Sequence, residues 1–110
     1  MKINISEVDN ISIVALQGEL DGKSAPKMEN QILPLVKPQC KILLDMSGVS
    51  YISSIGLRAL LLLYRETTGI QGNIVLSGLP EMIHDTMLIT GFLDFFEAYN
   101  TVEEGLTALR

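Results

Sequence analysis

Residues that usually carry chemistry are scarce in this 110-residue chain, which has one cysteine, Cys40, and one histidine, His84. A lone thiol cannot close an internal disulfide, and no His/Cys cluster offers metal-ligand spacing, so the expected setting is reducing and cytoplasmic. Nucleophilic catalysis needs a base beside the nucleophile and usually a third group to orient that base. His84 falls among Met82, Ile83, Met87 and Leu88 on a predicted helix, the pattern of a surface or half-buried residue, and no Gly-x-Ser-x-Gly elbow surrounds any serine. Neither a Gly-x-x-x-x-Gly-Lys phosphate loop nor a Gly-x-Gly-x-x-Gly dinucleotide loop occurs. The chain therefore carries no enzyme signature and implies no cofactor. Positive charge is also short: 8 Lys and Arg against 13 Asp and Glu give a net charge of −5. That balance repels phosphate backbones and anionic lipid headgroups, which argues against nucleic-acid and membrane partners. Long apolar runs are missing as well. The segment Ile55 to Tyr64 is interrupted by Arg58 and falls short of the roughly 20 residues that cross a bilayer. Asp9 and Asn10 break any stretch that could serve as a signal-peptide core.

What remains is enough for one compact domain over residues 1–110, with 47% hydrophobic and 19% charged residues. Lys2 to Glu7 alternates polar and apolar, Ile11 to Leu16 is rich in β-branched residues, and the Asp9-Asn10 pair between them predicts a hairpin. Ser24 is placed to cap a helix carrying Met28, Ile32, Leu35 and Val36 on one face, with Pro34 weakening its end before Lys37-Pro38. Lys41 to Asp45 reads as a strand covered on both faces, followed by a Ser47–Tyr51 loop. A helix then runs to Gly69, a strand covers Asn73 to Ser77, and Pro80 opens a helix that Gly91 stops. Phe95 to Tyr99 is the last strand candidate, and Thr101 with Glu104 forms a capping box for a terminal helix. Alternating strands and short crossovers predict an α/β fold: a mixed, mostly parallel sheet of four to five strands with helices packed against it.

The densest cluster of unusual residues is Asp45-Met46-Ser47-Gly48-Val49-Ser50-Tyr51-Ile52-Ser53-Ser54-Ile55-Gly56-Leu57-Arg58. It joins a buried strand end to a helix start. On one reading, Ser53 or Ser54 simply caps the helix by accepting a bond from a free backbone N–H. On the other, a hydroxyl at this position is a phosphorylation site, because the helix N-terminus favours added negative charge and a phosphate contributes about −1.5 to −2 charges without unfolding the helix.

The same run resembles the signature of STAS domains, specifically the bacterial anti-sigma factor antagonists. That signature reads Asp-Leu-Ser-x-Val-x-Phe, then Ile or Met, Asp-Ser, a small residue and Gly-Leu. Gly18-Glu19-Leu20-Asp21 is similar to the family's Gly-Glu-Leu-Asp. Phe92 to Phe96 after Gly91, and Glu103-Glu104-Gly105-Leu106, are similar to its closing motifs. The resemblance implies a small domain that binds an anti-sigma factor, usually a serine kinase, and so frees a sigma factor. The kinase phosphorylates the serine before the variable position and Gly-Leu, the pair separates, and a PP2C-type phosphatase resets the switch. Carried over, that serine is Ser54, with Asp21 near it on the docking surface. Ser53 stands where the family usually has aspartate, which offers a second acceptor, and Ile55 stands where it usually has a small residue. The implied docking set is Asp21, Lys23, Ser53, Ser54, Ile55, Gly56 and Arg58, on a monomer or weak homodimer.

Several residues keep two readings. Arg58 holds a phosphate or a partner's carboxylate, or is a solvated helix arginine; Lys23 touches a partner or is plain surface. Asp45 joins Asp21 around a metal or caps a turn. Phe92, Phe95, Phe96, Met87 and Leu88 read as a core cluster. A scaffold that is never phosphorylated and a small-ligand sensor with a cleft near Ser54 are the alternatives to the switch.

Overall fold

In the computed structural model, which describes all 110 residues, the chain first reverses at Asp9 and Asn10, whose φ values are 53° and 65°. Two successive positive φ values are what a two-residue hairpin turn of type I′ requires, and Asp and Asn tolerate them better than most residues. The turn joins β1 (Lys2–Val8) to β2 (Ile11–Leu20), paired antiparallel from Lys2↔Gln17 to Val8↔Ile11. From there strands and helices alternate: α1 (Ala25–Ile32), β3 (Lys41–Ile52), α2 (Ser54–Thr68), β4 (Asn73–Ser77), α3 (Glu81–Ile89), β5 (Ala98–Tyr99) and α4 (Val102–Leu109). The sheet order is β1-β2-β3-β4-β5, and every pairing after the first is parallel.

Each parallel crossover steps to the next strand in the same direction, so right-handed connections put α1, α2 and α3 on one face of the sheet. The main core lies there: Val14, Leu16, Ile42, Leu44, Ile74 and Leu76 from the strands meet Met28, Leu60, Leu63, Ile83 and Met87 from the helices. Strand side chains alternate between faces. Ile11, Leu43 and Val75 therefore point the other way, onto Leu106 and Leu109 of α4. Ile42, Leu43 and Leu44 are at most 1% exposed, which identifies β3 as the central strand. No helix is long and apolar enough to cross a membrane.

Four local expectations are corrected. The Ser47–Tyr51 segment is not a loop: β3 continues through it to Ile52, paired only with β2, whose own end reaches Leu20. Its serines and glycine disguise a strand whose alternation is interrupted by two register shifts. Ser24 does not cap α1 with its side chain; the turn of Asp21 to Ser24 precedes the helix instead. The helix ends at Ile32 and tightens into a 3-10 turn, Leu33–Leu35, because Pro34 cannot continue α-helical bonding. At the other end, Phe95 and Phe96 precede β5 rather than belonging to it. Phe96 is buried, Phe95 and Leu88 are exposed, and Tyr64 meets both phenylalanine rings edge-on at 6.0 and 5.2 Å. The Thr101 cap forms as expected, with its hydroxyl accepting from the Glu104 N–H at 3.1 Å.

Leu44→Ala in the central strand is expected to cost about 2–5 kcal/mol of unfolding free energy in urea titration. Ile5→Ala on the edge strand, where the side chain is 41% exposed, should cost less than about 1.5 kcal/mol. Equal losses would contradict this placement of the core.

Candidate functional site

The site forms where β2 and β3 outrun the rest of the sheet. The last β3–β4 rung is Asp45↔Ser77, after which β3 pairs with β2 alone, through Gln17↔Gly48 and on to Leu20↔Ile52. The register shifts between Ala15 and Gln17 and again between Gly18 and Glu19, and Gly18 takes a φ of 114°, a conformation L side chains rarely adopt. Asp45 holds the bend on the other strand: its Oδ1 accepts from the Ser47 N–H at 3.1 Å and the Ser47 hydroxyl at 2.8 Å. That carboxylate is thus engaged by the strand that carries it, and no group of three or more His, Cys, Asp or Glu side chains comes together as a metal site would need.

Beyond the paired ends, the β2–α1 turn and the start of α2 touch. The Ser53 N–H donates to the Leu20 carbonyl at 2.9 Å. Gly56 lies so close that an added Cβ would overlap the Leu20 carbonyl oxygen. A Cβ on Gly22 would stand 3.3 Å from Ile55 Cδ1. The sequence-predicted segments around Asp21 and Ser54 are therefore neighbours in space.

Ser53 and Ser54 have different roles. Ser53 has extended backbone (φ −91°, ψ 171°), and its Oγ accepts from the Gly56 N–H at 3.1 Å, which makes it the N-cap of α2. Ser54 is the first helical residue, exposed, and its hydroxyl makes no hydrogen bond within the protein. Both readings of the serine pair thus have a separate residue to rest on. The first turn of α2 contains no acidic side chain, so no residue of the helix itself offsets the partial positive charge of its end.

Asp21 organises the adjoining turn. Its Oδ1 accepts from the Lys23 and Ser24 N–H groups at 3.0 and 3.1 Å, while its own N–H donates to Ser24 Oγ at 3.0 Å. The Ser24 hydroxyl in turn donates to the Glu19 carbonyl at 2.6 Å. The backbone bond from Ser24, then that from Lys23, holds the Asp21 carboxyl below the usual carboxylate range. Lys23 is exposed on this turn and forms no ion pair. Arg58 is exposed on the outer side of α2 and is likewise unpaired.

The sequence reading missed how far this surface extends. Ile55, Arg58, Leu62 and Arg65 form one exposed stripe along α2, and with Glu29 of α1 they line an open groove of about 340 Å³. The spacing of three, four and three residues was visible in the sequence. It was obscured by an α2 sequence that is apolar on nearly every side.

Comparison with known proteins places this geometry among relatives. The model of the STAS domain family matches residues 2–105. BtrV of Bordetella bronchiseptica, named as a candidate anti-sigma factor antagonist, is 32% identical over 100% of this chain and 96% of its own length. The anti-sigma-B factor antagonist of Listeria monocytogenes is 30% identical over 94% of this chain and 91% of the relative. Among solved structures, an anti-sigma factor antagonist from Mycobacterium paratuberculosis superposes with a TM-score of 0.88 at 26% identity, covering 99% of this chain and 93% of that one.

The division of labour between the serines is testable by unfolding. Ser53→Ala should cost about 0.5–2 kcal/mol through loss of the cap, while Ser54→Ala should stay within about 0.5 kcal/mol of wild type. Reversed values would reassign the cap. For Asp21, a lowered pKa means its contribution is complete above the ordinary carboxylate value and lost only as the pH falls through the lower, folded value. The amide resonances of Lys23 and Ser24 should therefore hold constant from pH 8 to 5 and move only below about pH 4. Movement near neutrality would contradict the hydrogen bonding described.

Proposed function

The chain belongs to the STAS domain family, and from that premise we propose that it acts as an anti-sigma factor antagonist whose docking is controlled by phosphate on Ser54. The observation that carries the reading is the free, exposed Ser54 hydroxyl at the start of α2, with the structural cap already supplied by Ser53. A kinase can modify Ser54 without removing a hydrogen bond that the fold uses. The names of the Bordetella and Listeria relatives support the same direction.

The partner in this reading is an anti-sigma factor of the serine-kinase type, and a PP2C-type phosphatase restores the hydroxyl. Catalysis and ATP belong to those partners, not to this chain, and the setting is cytoplasmic. Asp21, Lys23, Ile55, Gly56 and Arg58 frame the docking surface around Ser53 and Ser54. Ile55 supplies apolar area, being 53% exposed, and Gly56 keeps the helix end tight against the Leu20 carbonyl. A phosphate adds about −1.5 to −2 charges to a chain that already carries −5, placing a desolvation cost and like-charge repulsion in the contact.

Incubation with a kinase-type anti-sigma factor and ATP should add one phosphate, assigned to Ser54 by peptide mass spectrometry and absent from Ser54→Ala. Ser54→Asp should weaken binding at least tenfold while leaving the melting temperature within a degree or two. Phosphate on Ser53 alone, or no complex with any such kinase, would sink the proposal.

A further inference from the structure

Two exposed stripes on the helical face match each other. On α2, Ile55, Arg58 and Leu62 stand outward, opposite the buried Leu57, Leu60 and Leu63. On α3, Met82, Asp85 and Ile89 stand outward, opposite the buried Ile83 and Met87. Each stripe has the order apolar, charged, apolar with spacings of three and four residues, so each spans about 10 Å of helix. The charges are opposite. Met82 and Ile89 are 81% and 84% exposed, the least covered large apolar side chains in the chain, and Ile55 and Leu62 are 53% and 46% exposed. Arg58 has no ion-pair partner, and the only basic side chain within 4.0 Å of Asp85 is the adjacent His84 ring at 3.6 Å.

We propose that these stripes bind each other between two copies of the chain, with Arg58 of each copy on Asp85 of the other. The topology permits closure. α2 and α3 both return from the carboxyl ends of parallel strands on the same face of the sheet, so they run in the same direction. A two-fold axis parallel to them and between them sets each α2 against the other copy's α3. Ile55 then meets Met82, Leu62 meets Ile89, and both Arg58–Asp85 pairs form. Such an interface is self-complementary and stops at two copies. Three side chains from each stripe bury well under the roughly 1,200 Å² of a standard interface, so the dimer is weak and forms at high concentration. It also covers Ile55 and Arg58, so a chain in the dimer cannot offer that part of α2 to another protein. The inference does not depend on the role of Ser54, since it is tested on the unmodified chain alone.

Sedimentation equilibrium from about 10 µM to 1 mM should show the mass rising toward twice that of the chain, with the rise reduced by added salt. Arg58→Glu and Asp85→Arg should each weaken the association at least tenfold, because each places like charges face to face at both contacts. An equimolar mixture of the two variants should recover wild-type association, since both contacts then carry opposite charges again. Circular dichroism establishes that each variant is folded. A wild type that stays monomeric to 1 mM, or a mixture no better than its components, overturns the proposal.

Discussion

The Leu20 carbonyl is the joint on which the arrangement of this domain turns. It accepts the Ser53 N–H at 2.9 Å and presses against Gly56, so the end of β2 fixes where α2 begins. Three consequences depend on that contact. The backbone of Ser53 is held extended, which lets its side chain cap the helix. Ser54 is left on the outside. The Asp21 turn, one residue after Leu20, is brought beside the same helix end. An added methyl at Gly56 would push α2 away and separate these features together, so sequence variation at this position is limited by a backbone oxygen and not by a side chain that could move aside.

The parts of the fold legible in the sequence are those decided locally. The Asp9-Asn10 turn, the Thr101 cap and the Asn73 to Ser77 strand each rest on residues within a few positions of one another. The second half of β3 could not be read this way. Ser47, Gly48 and Ser50 have the composition of a loop, and what makes them a strand is pairing with Gln17 to Leu20, some thirty residues earlier, across two register shifts. The site shows the same division. That the serine pair stands at a helix start was apparent from the strand-to-helix transition, whereas which serine caps the helix depends on a backbone angle. Asp21 stood out only through the family resemblance, and its bonds with Ser24, like the Ser24 bond to the Glu19 carbonyl, required the turn itself.

Charge distribution gives the surface a direction that the net value hides. The chain is acidic as a whole, yet the outer side of α2 carries two unpaired arginines, Arg58 and Arg65, interleaved with Ile55 and Leu62. A guanidinium beside exposed apolar area suits a carboxylate flanked by aliphatic residues, and it discriminates against a cationic approach. The acidic end of α3 faces solvent on the same side of the sheet. The helical face is thus electrostatically divided, with selectivity residing in local pattern.

The shortness of β5 affects how the domain comes apart. Only Leu76↔Ala98 and Ser77↔Tyr99 tie that strand to the sheet, and α4 follows at once. Beyond its apolar packing, α4 is anchored by Arg110 on Asp9 at 2.9 Å, an exposed ion pair of small energetic value. The segment from β5 to Arg110 is therefore tied to the sheet by few backbone bonds, as a unit that opens below the global unfolding free energy would be. Its departure uncovers Ile11, Leu43 and Val75 on three adjacent strands, a continuous apolar strip on an otherwise intact sheet. A partly opened molecule of this kind is the species most exposed to aggregation and proteolysis, so a two-residue strand bears on the stability of the whole domain.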